Sequence, residues 1–497
     1  MKIFFAASEM TPYAKTGGLG DVVGALAGEL GRRGHEVTCC LPYYRCARLC
    51  LEENATARQA RETAGEAKPI GLRLRIRLGS RTVTGEVLEL RQGDGVRVWF
   101  VRQDKFFDRA ELYNTREGDY ADNAERFLFF AKAAAELSGV AGAEVVHCHD
   151  WQGAFVPVEL RRRAETRGGG VVAKTMLTIH NMAYQGIFPA ADFGLTNLGA
   201  EWFTPEGLEF YGRMNLLKGG IVYADAITTV SRSYAKEVLT AEGGCGLESV
   251  MATRADDLHG IVNGVDYASW NPETDGALRE RYGAGDLSGK RACRADLVAR
   301  MGLVSHLESA SVGRTYPVAA FVSRLTEQKG VDLLAEAMGD LVESGAAVVV
   351  LGKGERKYEE MLTRAAGQFP GRVVVKIAHD EQLAHQIQGG ADMLLMPSRY
   401  EPCGLTQLYA LKYGTIPVAH ATGGLDDTIR QYDPRSGTGT GFKFASYTSM
   451  ALVEAVRQAI LLHKQPKKWQ KLMQNAMACD FSWQASAKEY ETLYAAL

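Results

Sequence analysis

Four short apolar runs in the second half of the chain, PVAAFVSRL (317–325), AAVVVLGKG (346–354), RVVVKIA (372–378) and DMLLMPS (392–398), are each followed by a segment of helical length, and PVAHATGG (417–424) continues the series. Val-, Leu- and Ile-rich runs without polar alternation fit strands covered on both faces. Strands separated by helices pair in parallel through crossovers. The pattern confines this half to a doubly wound α/β sheet.

The first half follows the same plan. KIFFAAS (2–8), GDVVGALAGELGRRG (20–34), HEVTCCLP (35–42), NAERFLFFAKAAAEL (123–137), AEVVHCHDW (143–151) and AKTMLTIHN (173–181) alternate strand-like and helical periodicity. A chain of 497 residues exceeds a single core, which stops growing near ~250–300 residues. Periodicity lapses in GIVNGVDYASWNPETD (260–275), rich in Gly, Asn, Pro and Asp. The expectation is two Rossmann-like domains with a boundary near residue 262, facing across a deep cleft lined by the carboxyl ends of their strands.

A formal net charge of -2 provides no basic field, so nucleic acid is not an expected partner. GLRLRIRLGSRT (71–82), the most basic stretch, alternates Arg with Leu or Ile as a half-buried strand does. The apolar run at the N-terminus is too short to span a membrane or act as a signal segment. Nine scattered cysteines without a CxxC pair fit reduced thiols in the cytoplasm, with no metal site.

Chemistry-bearing residues collect just after strands. KTGGLGD (15–21) joins the first strand to the next helix. Its glycines let the backbone approach a ligand, the helix N–H groups favour an anion, and Lys15 adds a charge, a combination that fits a diphosphate. The spacing is neither GxGxxG nor a P-loop, and a plain tight turn is the competing reading.

SRLTEQKG (323–330) is the counterpart in the second half, where Arg324 and Lys329 supply a bidentate donor and a point charge for phosphate oxygens. No Asp-x-Asp pair is present to hold a metal against a diphosphate. In SRYEPCGLTQLYALKYG (398–414), Glu401 can accept from sugar hydroxyls, and the N–H groups of Gly404, Leu405 and Thr406 open a helix towards an anion. A solvated charge on the helix dipole for Glu401, and a small packing thiol for Cys403, are the alternatives. TIHN (178–181) and HCHDW (147–151) end two strands of the first half, so that His180 can donate to a sugar hydroxyl and Asp150 can orient an acceptor. No GxSxG elbow supports a hydrolase.

With SEMTPYAKTGGLGD, TIHNMAYQG, SRLTEQKG, SRYEPCGLTQ and the tail DFSWQASAKEYETLY in this order, the chain resembles the bacterial glycogen (starch) synthases almost end to end. These are retaining glucosyltransferases of the two-Rossmann GT-B architecture. The resemblance implies transfer of glucose from ADP-glucose to the non-reducing 4-hydroxyl of an α-1,4-glucan, without metal or cofactor. It implies that Lys15 and Gly18 contact the donor and that Arg324 and Lys329 hold its diphosphate. His180 would bond the glucose 6-hydroxyl, while Glu401 and the Cys403, Gly404, Leu405, Thr406 turn would bind donor glucose and phosphate. Asp21, Asp150, Asn181 and Asn263 fall at further binding positions. The resemblance also implies domains 1–262 (acceptor side) and 263–480 (donor side), with a helix at 481–497 crossing back onto the first.

The wider GT-B pattern has a second Glu where this chain has Tyr409, and relatives carry Tyr in place of His379, a candidate for stacking on the base. UDP-glucose is therefore an alternative donor. The other rivals are a phosphorylase-like or sucrose synthase-like enzyme, an inactive glucan-binding relative and, with the wrong glycine spacing, an NAD-dependent oxidoreductase.

Overall fold

Each apolar run becomes a strand, and the order in which the strands pair decides which loops lie side by side. The computed structural model describes residues 1–58, 66–93, 95–115, 117–166, 173–303 and 316–497. Two units result, one formed by Met1–Gly264 with Trp483–Leu497 and the other by Val265–Ser482.

The first unit holds a sheet of nine strands: β1 (Lys2–Ala6), β2 (Glu36–Pro42), β3 (Lys68–Leu78), β4 (Arg81–Arg91), β5 (Val96–Arg102), β6 (Val145–His149), β7 (Lys174–Ile179), β8 (Ala226–Thr229) and β9 (Leu258–Gly260). Their spatial order is β9-β8-β7-β6-β1-β2-β5-β4-β3. Pairing is parallel from β9 to β5, and β3 and β4 close the edge as an antiparallel hairpin. In β3, Leu74, Ile76 and Leu78 are buried while Arg73, Arg75 and Arg77 face solvent, so the most basic stretch is the outer face of an edge strand.

The chain runs outward from β1 in one direction and returns to β6 on its other side. Ligands bind outside the carboxyl ends of strands at such a reversal, here between β1 and β6. The helix Trp483–Ala496 buries Trp483, Ala487, Tyr490 and Tyr494 along one stripe. It is fixed to this unit by a bidentate pair from Arg33 to Glu491 and by Ser486 Oγ donating to the Val262 carbonyl at 2.7 Å.

The second unit is parallel throughout: β10 (Val318–Val322), β11 (Ala347–Gly352), β12 (Val373–Ile377), β13 (Met393–Met396), β14 (Ile416–His420) and β15 (Phe442–Phe444), in the order β12-β11-β10-β13-β14-β15. Alternate strand residues enter two cores. Ala319, Phe321, Val348, Val350 and Leu395 pack on one face, and Val318, Ala320, Val349, Leu351 and Leu394 on the other. Burial on both faces explains why these strands carry no polar alternation. The reversal here lies between β10 and β13, the strands that SRLTEQKG and SRYEPCG follow. Among the described residues no helix is long and apolar enough to cross a membrane.

One expected boundary moves. The helix placed from Gly404 begins at Thr406 and ends at Lys412, because Gly404 takes a left-handed conformation, φ 74°, that a helix does not admit.

Candidate active site

At the β1 end, the loop before the helix Gly18–Arg32 is organised by a residue the motif reading passed over. Glu9, 3% exposed, accepts from Thr16 N–H at 2.6 Å, Thr16 Oγ1 at 2.7 Å, Gly17 N–H at 3.3 Å and the Tyr113 hydroxyl at 2.7 Å. The first N–H groups of KTGGLGD therefore already serve a carboxylate. Lys15 Nζ lies 2.8 Å from Asp21 Oδ1, which also accepts from Thr11 Oγ1, so the loop's lysine is balanced within the loop. Gly18 is exposed at the helix start, and its N–H points along the favourable end of the helix dipole.

The β6 and β7 ends meet through Asp150. This residue is held at φ 51°, a left-handed conformation that side chains other than glycine rarely adopt, and its Oδ1 accepts from His180 N–H at 2.7 Å. Desolvation pushes its carboxyl up to about 7, opposed by the His180 and Asn181 N–H groups. His180 Nε2 lies 3.1 Å from His149 Nδ1, and desolvation brings its imidazole down to about 3, so it is neutral at physiological pH. Asn181 spends its side-chain oxygen on the Ala183 N–H at 3.0 Å, closing the turn after β7. Asn263 is 5% exposed, and its Oδ1 is buried without a hydrogen-bond partner among the described residues. An orphaned buried acceptor of this kind fits a ligand donor.

In the second unit the two loops at the reversal are locked together. Gly330 has φ 70°, and a Cβ there would stand 1.9 Å from the Pro397 carbonyl oxygen. Arg399 N–H donates to the Gln328 carbonyl at 2.9 Å. This close approach sets Lys329 Nζ 2.5 Å from Glu401 Oε2, which also accepts from Ser398 Oγ at 3.1 Å. Glu401 is thus a buried, paired carboxylate and not a solvated charge on the helix dipole. Arg324 is exposed, and its guanidinium has no hydrogen bond or ion pair among the described residues. We expect Gly330→Ala to lose roughly 2 kcal/mol or more of stability, from left-handed strain and backbone collision. Circular dichroism melting with parallel activity measurements should show both a lower midpoint and reduced turnover.

Beyond Glu401, Gln407 Nε2 donates to the carbonyls of Cys403 and Gly404 at 2.8 and 2.9 Å and fixes the turn that carries Leu405 and Thr406. Gly424 N–H donates to the Glu401 carbonyl, and a Cβ at Gly424 would meet the Cys403 carbonyl at 2.1 Å. The ATGGL segment therefore packs directly on this turn. Cys403 is buried, as a packing thiol would be. His379 is exposed two residues beyond the end of β12. Tyr409 lies flat on Trp270 at 4.0 Å, and Trp270 stacks its other face on His385 at 3.7 Å. The position that could have carried a second carboxylate is committed to packing.

Within the first unit the structure gathers Lys15 with Asp21 and His180 with Asp150; within the second it gathers Lys329 with Glu401 and the Cys403–Thr406 turn. Glu9, Tyr113, His149, Gln407 and Gly424 were not singled out. His147 and His149 share a strand face by their spacing of two, and an acidic residue directly after an apolar strand, as at Glu9, was a further signal.

Comparison with known proteins follows the same outline. The family model described as starch synthase catalytic domain matches residues 2–253, and that described as glycosyl transferases group 1 matches residues 308–476. A glycogen synthase of Koribacter versatilis is 46% identical over 495 residues, spanning 99% of this chain and 98% of that protein. A glycogen synthase of Anaeromyxobacter sp. is 44% identical over 503 residues, with 100% and 99% covered. The catalytic domain of starch synthase IV from Arabidopsis thaliana, solved bound to ADP and acarbose, superposes with a TM-score of 0.86 at 33% identity, covering 100% of this chain and 98% of that one. Sucrose-phosphate synthase from Thermosynechococcus elongatus, at 16% identity and a TM-score of 0.61, with both chains fully covered, shares the fold. The chain belongs to the starch and glycogen synthase family and is a glycosyltransferase of GT-B fold.

Proposed function

We propose that the donor is ADP-glucose and that glucose passes with retention to the non-reducing 4-hydroxyl of an α-1,4-glucan. The observation that carries the reading is the grouping at the β10/β13 reversal, where an exposed arginine with no partner among the described residues accompanies a buried Lys–Glu pair. Breaking the anomeric bond builds positive charge on the sugar and negative charge on the diphosphate. Cations fixed beforehand at the leaving group therefore lower the barrier most. Arg324 and Lys329 take that role, Glu401 and the Cys403–Thr406 turn take donor glucose and phosphate, and His379 takes the base. Lys15, Gly18, Asp21 and Asn263 complete donor binding, and His180, held by Asp150 and the Asn181 turn, bonds a glucose hydroxyl.

Glu401 is engaged by Lys329 and Ser398, which speaks against its serving as a nucleophile. In the step we favour, the anomeric C–O electron pair leaves with the diphosphate. The acceptor oxygen bonds the anomeric carbon on the same face, and its proton passes to the departing phosphate oxygen.

ADP and acarbose, the ligands of the Arabidopsis structure, support an adenine nucleotide and an α-glucan. A cytoplasmic location accords with nine cysteines free of disulfides. Initial rates of glucose incorporation into glycogen, with ADP-glucose and UDP-glucose side by side in EDTA, test the donor. A kcat/KM for ADP-glucose at least about tenfold higher, near 1.4 kcal/mol of discrimination, is expected. A UDP-glucose preference reassigns the base site.

A further inference from the structure

His149 is fully buried at the end of β6, with Nδ1 3.1 Å from His180 Nε2 and with Nε2 buried and lacking any hydrogen-bond partner among the described residues. Burial holds both imidazoles in the neutral form, so a single proton lies between the two facing nitrogens. If His180 Nε2–H donated, the proton of His149 would sit on its orphaned Nε2, leaving a buried N–H with no acceptor. If His149 Nδ1–H donates, the orphan is only a lone pair. Orphaned buried N–H groups are the rarer and more costly defect, which favours donation by His149. The proton of His180 then resides on Nδ1, which no group among the described residues occupies.

The surroundings hold the His149 ring in place. It packs on Phe5 at 5.3 Å and on His147 at 4.2 Å. His147 is in turn fixed by Thr178 Oγ1 at 2.5 Å and, from the C-terminal helix, by the Tyr494 hydroxyl at 2.7 Å.

We propose that His149 is a positioning residue for glucosyl transfer: by donating from Nδ1 to His180 Nε2 it keeps His180 in the Nδ1–H tautomer, so that His180 offers a donor, and not an acceptor, to a hydroxyl oxygen of the bound glucose. This rests on the role given to His180 above. A sugar hydroxyl can donate or accept, so the tautomer decides which way that hydroxyl points and leaves its own hydrogen for a second acceptor.

Two-bond proton–nitrogen NMR on the full-length protein labelled with 15N-histidine reads the tautomer directly, with His180 assigned by its loss in His180→Gln. The expected result is a protonated Nδ1 and a bare Nε2, unchanged from about pH 6 to 8. An Nε2–H tautomer in the wild type overturns the proposal whatever the activity. His149→Asn, whose amide can donate from near the Nδ1 position, is expected to keep the tautomer and a kcat within about threefold of wild type. His149→Leu is expected to give mixed tautomers and a kcat about tenfold lower, with donor KM changed less than about twofold. A folded His149→Leu protein with wild-type kcat overturns the positioning role. Absence of glucosyl transfer in the wild type, with the Nδ1–H tautomer present, would overturn the functional reading and the positioning role together while leaving the tautomer assignment standing.

Discussion

Glu401→Gln is expected to lower kcat/KM by about a hundredfold to a thousandfold and to lower the thermal midpoint as well. The side chain keeps its size, so no cavity forms; what is removed is the charge opposite Lys329. Their atoms are 2.5 Å apart, with side-chain exposures of 16% for Lys329 and 5% for Glu401. Removing one partner of a buried pair costs roughly 3–5 kcal/mol, because the remaining charge is stranded. Removing one preorganised electrostatic group from a transition state costs ~10²–10³ in rate. The double variant Lys329→Met with Glu401→Gln separates the two effects. With neither charge buried, stability should return part of the way towards wild type, since no charge is left stranded. Activity should not return. Melting curves and steady-state rates on the three proteins decide this; recovery of activity in the double variant would reduce the pair to scaffolding.

The second large effect is at His180, where Gln is expected to lower kcat about 10²- to 10³-fold, the loss of a donor aimed at the reacting sugar. The pH profile identifies the groups. Desolvation holds His180 near 3, so it stays neutral over the working range and contributes no limb there. Asp150, pushed up to about 7, accepts from His180 N–H best when ionised, so activity should fall as the pH drops below about 7. His180→Gln should lower the plateau and leave that limb in place, whereas Asp150→Asn should remove the limb. A wild-type profile flat from about pH 5 to 8 would contradict the assignment to Asp150.

Sequence pattern was most informative where both faces of a strand are buried. PVAAFVSRL, AAVVVLGKG and DMLLMPS became β10, β11 and β13 because a parallel sheet covered by helices tolerates no polar alternation. The Arg/Leu alternation of residues 71–82 was equally legible, since a half-exposed edge strand shows its period directly. Spatial pairing was harder to read. That Lys329 would meet Glu401 depends on Gly330 admitting the Pro397 carbonyl, a contact between segments some seventy residues apart that no local period encodes. The KTGGLGD loop read as an anion cradle, yet Glu9 and Asp21 supply its counter-charges; Asp21 lies within the motif itself, whereas the Tyr113 hydroxyl that orders Glu9 arrives from distant sequence. The helix read from Gly404 starts two residues later, at Thr406, because Gly404 takes a positive φ that is set by its neighbours, here Gln407 across the turn.

The most direct measurement of the central claim follows radiolabelled glucose from ADP-glucose into glycogen in the presence of EDTA, then digests the product with an exo-acting hydrolase specific for non-reducing α-1,4 linkages. The account predicts rapid incorporation and complete release of label as maltose. Label that resists the hydrolase, or no incorporation from any glucose nucleotide, would contradict it.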